Sequence, residues 1–227
     1  MSVFPCAYAV RGGMRVRRNR DETAARRRAA AFLLAVGLLL SQVLYQRAVR
    51  VPPEAEALLR ETLAEERDPK RRALVRTACG LVGRVGYFWG GKSRASGWDL
   101  AWGYPRRVTA AGSDSTGHFR RYGLDCSGLV SWAAAAALGD PAAYDGVGEG
   151  VRAQYAACGE TQLPQPGDLA FFPDLSHVGI VLGQDGGGAL WVVHCSASLG
   201  GVVVTPASVG FTLFGTPGCL TGEKTRR

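Results

Sequence analysis

A charge-free, mostly apolar stretch lies near the start of the chain. Residues 29–46 contain no charged side chain and are flanked by Arg28 and Arg47. As a helix they would extend about 27 Å, close to the hydrocarbon thickness of a bilayer. The pattern predicts a transmembrane signal-anchor with a cytoplasmic N-terminus and the rest of the chain outside the cell. The alternative is a cleaved secretory signal, although only a poor cleavage site follows the run.

Two helical patterns follow this stretch. Residues 47–70 begin with a pair of prolines and a narrow leucine stripe, which predicts a short helical stem. From Lys70 onward the apolar residues recur at helical spacing, at Leu74, Ala78, Leu81, Val82 and Val85. This spacing predicts an amphipathic helix that docks on a hydrophobic core.

A further helix is predicted to begin at or just before Cys126. An alanine-rich apolar run continues from it to Ala137, and either Asp125 or Ser127 is suited to cap the first turn. A cysteine at a helix N-terminus lies at the positive end of the helix dipole, which favours the thiolate. Cys126 is therefore a candidate nucleophile. The alternative is a buried structural cysteine beside a capped helix.

The last third of the chain alternates between short apolar runs and spacers rich in glycine and aspartate, which is typical of hairpin-connected strands. The predicted strands are 169–172, 177–182, 190–196 and 202–205, with 211–214 as a candidate fifth. Helices followed by an antiparallel sheet predict an α+β domain.

The net charge of +8 is concentrated at the two ends of the chain. Residues 1–28 carry +6 and residues 221–227 carry +2, so the central part is neutral. A nucleic-acid interface would require a basic surface on the folded domain, and we therefore predict no nucleic-acid partner. Within the central part, residues 92–124 carry +4 and residues 125–220 carry −7.

Two of the three histidines lie on consecutive predicted strands. His177 and His194 become neighbours if these strands pair, and a Cys126–His177–His194 line forms if the Cys126 helix packs on the same face. His177 would then be the general base and His194 would orient its ring. The alternatives are a satisfied core histidine or a zinc site. Because no carboxylate or third histidine is obviously placed nearby, we predict no metal and no cofactor.

Five motifs occur in an order that resembles a known family. They are Tyr87-Phe-Trp-Gly-Gly, Asp125-Cys-Ser-Gly-Leu-Val-Ser-Trp, Pro166-Gly-Asp-Leu-Ala-Phe-Phe, His177-Val-Gly-Ile-Val-Leu-Gly and Val193-His194. Residues 71–220 are similar in this respect to the NlpC-type (NlpC/P60) cell-wall peptidases, which have a papain-like fold.

The resemblance implies a function and a set of site residues. It implies Cys126 as the nucleophile, His177 as the base and His194 as the third catalytic residue. It also implies that Tyr87, Asp125 and Ser127 line the substrate side of the cysteine. The implied substrate is the peptidoglycan stem peptide, cut between γ-D-glutamate and a diamino acid.

Residues 92–124 depart from the family pattern, in which the two motifs on either side are joined by a short segment. We expect an ordered loop that Trp98 and Trp102 pin to the domain. Because the loop ends beside Cys126, it is predicted to wall the cleft and to offer Arg120 or Arg121 to a substrate carboxylate.

The resulting hypothesis is a membrane-anchored, extracytoplasmic cysteine peptidase that acts on peptidoglycan. The alternatives are a catalytically silent wall-binding domain, or an amidase or acyltransferase on the same fold. The predicted organisation is a disordered basic tail (1–28), the signal-anchor (29–46), the stem (47–70), the catalytic domain (71–220) and a basic tail (221–227).

Overall fold

The computed structural model describes residues 23–37 and 51–221, which belong to two units. The first unit covers residues 1–48 and the second covers residues 49–227, and each is described by itself. Most of both predicted basic tails lies outside the described residues.

The structure contradicts the transmembrane helix that the sequence predicts as part of the fold. The first unit contains helix α1 (23–37), whereas residues 38–46 of the predicted span lie outside the described residues. In the part of the chain that is described, no helix combines the length and the apolar character that a bilayer crossing needs. The described part of α1 has fifteen residues, and three of them are Arg26, Arg27 and Arg28. The fold-class prediction is therefore wrong in including a membrane-spanning helix.

The second unit has the α+β architecture that the sequence predicts. Its helices are α2 (Pro53–Glu65), α3 (Pro69–Cys79), α4 (Cys126–Leu138), α5 (Ala142–Gly146), α6 (Val151–Ala156) and α7 (Gly218–Thr221). Its strands are β1 (Pro105–Arg107), β2 (Phe119–Arg121), β3 (Cys158–Glu160), β4 (Leu169–Phe171), β5 (Val178–Gln184), β6 (Leu190–Ser196), β7 (Gly201–Pro206) and β8 (Leu213–Pro217).

Six of these strands form one antiparallel sheet in the order β3-β8-β4-β5-β6-β7. Helix α4 packs on β5 and β6 and also contacts α3 and α5. A second, smaller apolar cluster of Ala170, Val181, Val192, Ala207 and Phe211 lies apart from the main core. The central strands are therefore buried on both faces, which explains why their sequences are almost continuously apolar.

Helix α4 is the element that the sequence predicts best. Asp125 is its N-cap and accepts a hydrogen bond from the Gly128 N–H at 2.6 Å. Every residue from Cys126 to Ala134 is buried. An amphipathic stripe is absent from this helix because it is enclosed by the sheet and by other helices.

The predicted stem helix lies against the sheet. Helix α2 buries Ala55 and Leu58 and contacts β5, and the Thr62 hydroxyl donates to the Leu182 carbonyl at 3.3 Å. The segment is therefore packed on the same core as the remainder of the second unit.

The Pro166-Gly-Asp motif has a structural role. The buried Asp168 carboxylate accepts hydrogen bonds from the Arg71 guanidinium at 2.8 Å, from the Thr216 hydroxyl at 2.9 Å and from the Gln165 N–H at 2.8 Å. These contacts join α3, β8 and the turn before β4. The negative charge of the buried Asp168 carboxylate is compensated by the Arg71 guanidinium and by two further hydrogen-bond donors.

The inserted residues 92–124 are ordered, with β1 and β2 forming a separate antiparallel pair. Trp102 is 6% exposed and its ring lies 5.3 Å from that of Trp132 on α4. Trp98 packs edge-on against Trp102 but is 46% exposed. The insert is thus attached to α4 mainly through Trp102, with a further hydrogen bond from the Trp132 indole to the Gly97 carbonyl at 3.1 Å.

Two pairs of glycines bring the start of α4 and the residues just before it against residues 86–91. A Cβ on Gly128 would lie 2.0 Å from the Gly91 carbonyl oxygen, and one on Gly123 would lie 1.9 Å from the Gly86 carbonyl oxygen. No side chain fits at either position. The glycines in the two motifs are therefore required for the close approach of two backbones.

We predict that Gly128→Ala lowers the free energy of unfolding by about 2 kcal/mol, because the added methyl group must displace the Gly91 carbonyl. In an ordinary helix interior, replacing glycine by alanine raises the free energy of unfolding by about 1 kcal/mol. The change expected at Gly128 therefore has the opposite sign. Urea denaturation measures the effect. The control is Gly146→Ala on α5, where the added Cβ meets open space. Equal or higher stability in Gly128→Ala would contradict the contact.

Candidate active site

One cavity of about 700 Å³ contains six of the residues that the sequence singles out. They are Tyr87, Asp125, Cys126, Ser127, His177 and His194. They come from the Trp-Gly-Gly segment, from the cap and first turn of α4, from the residue before β5 and from β6. The tertiary fold therefore brings the motifs together.

Cys126 is the first residue of α4 and is 8% exposed. Burial raises the pKa of its thiol, and the Asp125 carboxylate raises it further. The backbone N–H groups of Val178 and Ser127 donate to the sulfur and oppose this shift, as does the positive charge of Lys92. The thiol therefore lies at the end of a helix dipole that favours its ionisation, within a site whose burial disfavours it.

His177 and His194 form a hydrogen-bonded pair. Their Nε2 and Nδ1 atoms, respectively, are 2.8 Å apart, and His194 Nε2 lies 3.0 Å from the Thr205 hydroxyl. His177 directly precedes β5, and His194 is on β6. The adjacency that the sequence predicts from consecutive strands is thus present, and Thr205 on β7 extends the chain of polar groups.

The register of the sheet explains the contact between the histidines. Gly179 lies directly opposite His194 in the β5–β6 ladder. A Cβ on Gly179 would come within 2.9 Å of the His194 Cβ and 2.4 Å of a Val192 methyl. Because Gly179 has no side chain, no methyl group fills the space beside His194.

Two phenylalanines pack against this pair. The Phe172 ring lies 5.0 Å from that of His177, and the Phe211 ring lies 5.6 Å from His177 and 5.2 Å from His194. Burial lowers the pKa of His177. Burial and the neighbouring His177 lower the pKa of His194 to about 3. Both rings are therefore neutral near pH 7, and His194 stays neutral into the acid range.

Tyr87 is held beside Cys126 by main-chain pairing. Its N–H donates to the Gly200 carbonyl at 3.0 Å, and the residue forms a parallel bridge with Leu124. Burial, together with the charges of Cys126 and Asp125, raises the pKa of the Tyr87 phenol. The phenol is thus a neutral hydroxyl that can donate a hydrogen bond within the cavity.

Asp125 and Ser127 share a partner that the sequence does not indicate. The Lys92 Nζ atom lies 2.6 Å from Asp125 Oδ1 and 2.7 Å from Ser127 Oγ. Lys92 directly follows the Trp-Gly-Gly turn, but no local pattern marks it as part of the site. The sequence does not indicate a role for Thr205 either. The one feature that could have pointed to it is its position on β7, two residues after Val203, which pairs with His194.

Arg120 and Arg121 are not among the residues that line the cavity. Both lie on the exposed strand β2, opposite Arg106 and Pro105. Their predicted contact with a substrate carboxylate stays a prediction, and any such contact would be made outside the cavity.

The other described cysteines are not part of this cavity. Cys195 is fully buried, and its thiol donates to the Leu124 carbonyl at 3.1 Å. Cys79, Cys158 and Cys219 are free thiols whose pKa values are raised by burial. Across residues 23–37 and 51–221, no group of three or more His, Cys, Asp or Glu side chains is arranged to hold a metal ion.

Comparison with known proteins identifies a family match. A sequence model of the NlpC/P60 family matches residues 84–208, more than half of the chain. No curated protein matches.

Solved structures with a similar fold include the peptidoglycan hydrolase RipB of Mycobacterium tuberculosis. It is 24% identical, with coverage of 73% of this chain and 71% of that one and a TM-score of 0.45. The P60 domain of an M. avium paratuberculosis antigen is 19% identical, with coverage of 70% and 97% and a TM-score of 0.44. RipD of M. tuberculosis, described as a non-catalytic NlpC/p60 domain protein, is 19% identical, with coverage of 64% and 94% and a TM-score of 0.41.

The low pKa of His194 predicts a loss of stability in acid. The unfolded chain binds a proton at this residue below about pH 6.5, whereas the folded protein does so only near pH 3. The free energy of unfolding should therefore fall between these pH values, by up to about 1.4 kcal/mol per pH unit. His194→Asn should flatten this dependence in urea titrations at pH 7 and pH 4.5. The control is His118→Asn at an exposed position, and equal slopes in His194→Asn and the parent would contradict the assignment.

Proposed function

The chain belongs to the NlpC/P60 family, and we propose that it is a cysteine peptidase that hydrolyses peptidoglycan stem peptides outside the cytoplasm. One observation carries the proposal. A cysteine at a helix N-terminus shares a cavity with a hydrogen-bonded pair of neutral histidines. This combination supplies a nucleophile, a base and a group that orients the base.

The hydrogen bonds support one of the two His177 nitrogens as the base. Nε2 of His177 is engaged by His194, which leaves Nδ1 of His177 to accept the Cys126 proton. In the tautomer set that suits this transfer, His177 donates from Nε2 to His194 Nδ1, and His194 donates from Nε2 to Thr205. His194 stays neutral because of its low pKa, so it accepts this hydrogen bond throughout the reaction.

The directions of the pKa shifts describe the resting state. Burial raises the pKa of Cys126 and lowers that of His177, which favours a neutral thiol and a neutral imidazole. The proton therefore moves from Cys126 to His177 as the sulfur attacks the scissile carbonyl carbon. A thioester forms, and the His177 imidazolium returns its proton to the leaving amine. Water then attacks the thioester with His177 as the base and releases the acid.

The start of α4 is suited to stabilise the negative oxygen of the tetrahedral intermediates. The first N–H groups of a helix have no intrahelical partner, and that of Cys126 is next to the attacking sulfur. The Tyr87 hydroxyl is a second candidate donor in the same cavity. Of the bonds in the stem peptide, we propose the γ-D-glutamyl–diamino acid bond as the one that is cut.

Two other functions remain alternatives to hydrolysis of the stem peptide. A silent wall-binding domain would need no nucleophile, yet Cys126, His177 and His194 lie in one cavity. An amidase or acyltransferase would use the same thiol chemistry on a different bond. The fragments released from peptidoglycan distinguish these functions.

We predict that Cys126→Ala lowers the rate of peptidoglycan hydrolysis by at least about a thousandfold, since no other group replaces the thiolate. Purified sacculi are digested, and the fragments are identified by mass spectrometry. New termini at γ-D-glutamate and at the diamino acid are expected. The matched control, Cys158→Ala, changes a cysteine on β3 and should leave turnover close to that of the parent. Undiminished turnover in Cys126→Ala would rule out the cysteine-peptidase proposal.

The β1–β2 hairpin supports a second part of the proposal. Arg106 and Arg120 lie directly opposite each other, an arrangement of like charges that destabilises an isolated hairpin. In the described part of the chain, no carboxylate forms an ion pair with Arg120 or Arg121. We propose that these two arginines hold substrate carboxylates next to the cavity rather than inside it.

Replacing Arg120 and Arg121 together by alanine should raise KM for sacculi about fivefold, equivalent to two exposed ion pairs, and should change kcat less. The control is Arg60→Ala with Arg76→Ala, which removes the same charge from exposed positions on α2 and α3. Both double variants should keep the parent circular dichroism spectrum. If the two double variants have the same KM for sacculi, the charge of the β1–β2 hairpin has no specific part in substrate binding.

A further inference from the structure

An ion pair between Lys92 and Asp125 lies at the start of α4 and has no role in the proposed reaction steps. The Lys92 ammonium donates to Asp125 Oδ1 at 2.6 Å and to Ser127 Oγ at 2.7 Å, so it bridges the two residues that flank Cys126. The same Asp125 oxygen also accepts the Gly128 N–H and, at 3.1 Å, the Ser127 hydroxyl. One carboxylate oxygen thus serves both as the helix cap and as the partner of an ammonium.

The backbone of Lys92 is fixed from several directions. The Tyr122 hydroxyl donates to the Lys92 carbonyl, and the Asp125 N–H donates to the preceding Gly91 carbonyl at 3.1 Å. The close contact between Gly91 and Gly128 holds this segment against α4. These contacts leave little freedom in where the Lys92 side chain begins, and its side chain is only 26% exposed.

We propose that Lys92 is a positioning residue for the proposed reaction, which neutralises the Asp125 carboxylate beside Cys126 and thereby permits the thiolate to form. This inference rests on the proposed function, because it takes Cys126 to be the nucleophile. Lys92 acts through Asp125 and Ser127, and it is not one of the residues that line the cavity.

The electrostatic balance at the sulfur supports this role. A capping carboxylate one residue before the nucleophile opposes the negative charge that the thiolate must carry, and it raises the pKa of Cys126. The Lys92 ammonium lowers the same pKa. An uncompensated carboxylate in this partly buried position would therefore work against the helix dipole that favours the thiolate.

The other titratable groups around Cys126 are neutral near pH 7. His177 before β5 and His194 on β6 have lowered pKa values. Tyr87 on the Trp-Gly-Gly segment and Cys195 on β6 have raised ones. Asp125 and Lys92 are then the two charged groups that act on the sulfur, and removal of either one leaves the other uncompensated.

The test measures thiolate formation without substrate. Alkylation of Cys126 by iodoacetamide is followed in the full chain across pH 6–11, with the modified residue identified by peptide mass spectrometry. Lys92→Met should move the midpoint of this profile upward by about one pH unit, which is about a tenfold lower alkylation rate near neutral pH. Lys92→Arg keeps the charge and should restore most of the rate. The control, Lys70→Met, removes a lysine charge on α3 and should leave the profile unchanged.

A double-mutant cycle separates charge from structure. Asn at position 125 keeps an oxygen that can accept the Gly128 N–H but removes the negative charge. In the Asp125→Asn background, Lys92→Met should therefore move the alkylation midpoint much less than in the parent. The melting temperature of each variant reports on any purely structural effect.

Two results would overturn the inference. An unchanged midpoint in Lys92→Met shows that the ammonium does not act on the sulfur. An equal shift in the parent and the Asp125→Asn background shows that it does not act through Asp125. Because alkylation needs no substrate, either result is distinct from a failure of Cys126→Ala to abolish hydrolysis, which concerns the proposed function itself.

Discussion

The contact between the backbones at Gly91 and Gly128 is the constraint on which the candidate site depends. It sets the start of α4 against the Trp-Gly-Gly turn at a distance that no side chain permits. As a result, Cys126, Tyr87 and the Lys92 ammonium meet at the N-terminal end of α4. The glycines of the two motifs are thus explained by close packing, and the polar residues beside them are placed by it.

Burial acts on the site in two opposing ways. Phe172 and Phe211 pack against the histidine pair, and the loss of water contact on burial keeps both rings neutral. The same exclusion of water disfavours the Cys126 thiolate. Backbone donors, the helix dipole and the Lys92 ammonium counteract this cost. The thiol and both imidazoles are therefore each favoured in the neutral form.

The insert of residues 92–124 contributes to the site at its two ends. Its first residue is Lys92, which reaches the helix cap, and its last residues lead directly into Asp125. Between these ends the chain forms an exposed basic hairpin, and Trp102 attaches it to α4. The contact of Arg120 or Arg121 with a substrate carboxylate stays a prediction. The β1–β2 pairing places both arginines on an exposed strand, and neither is among the residues that line the cavity.

The order of the motifs, the start of α4 and the strand of His194 could all be predicted from the sequence, because capping and alternation are local properties of the chain. The family resemblance was also sufficient to group Cys126 with both histidines. The roles of Lys92 and Thr205 could not be predicted, since they depend on strand register and on the path of a long insert. The predicted membrane helix was wrong because the absence of charge over residues 29–46 measures composition only. Tertiary structure alone decided that Lys92 and Thr205 join these groups, since distances between distant residues follow from packing rather than from local pattern.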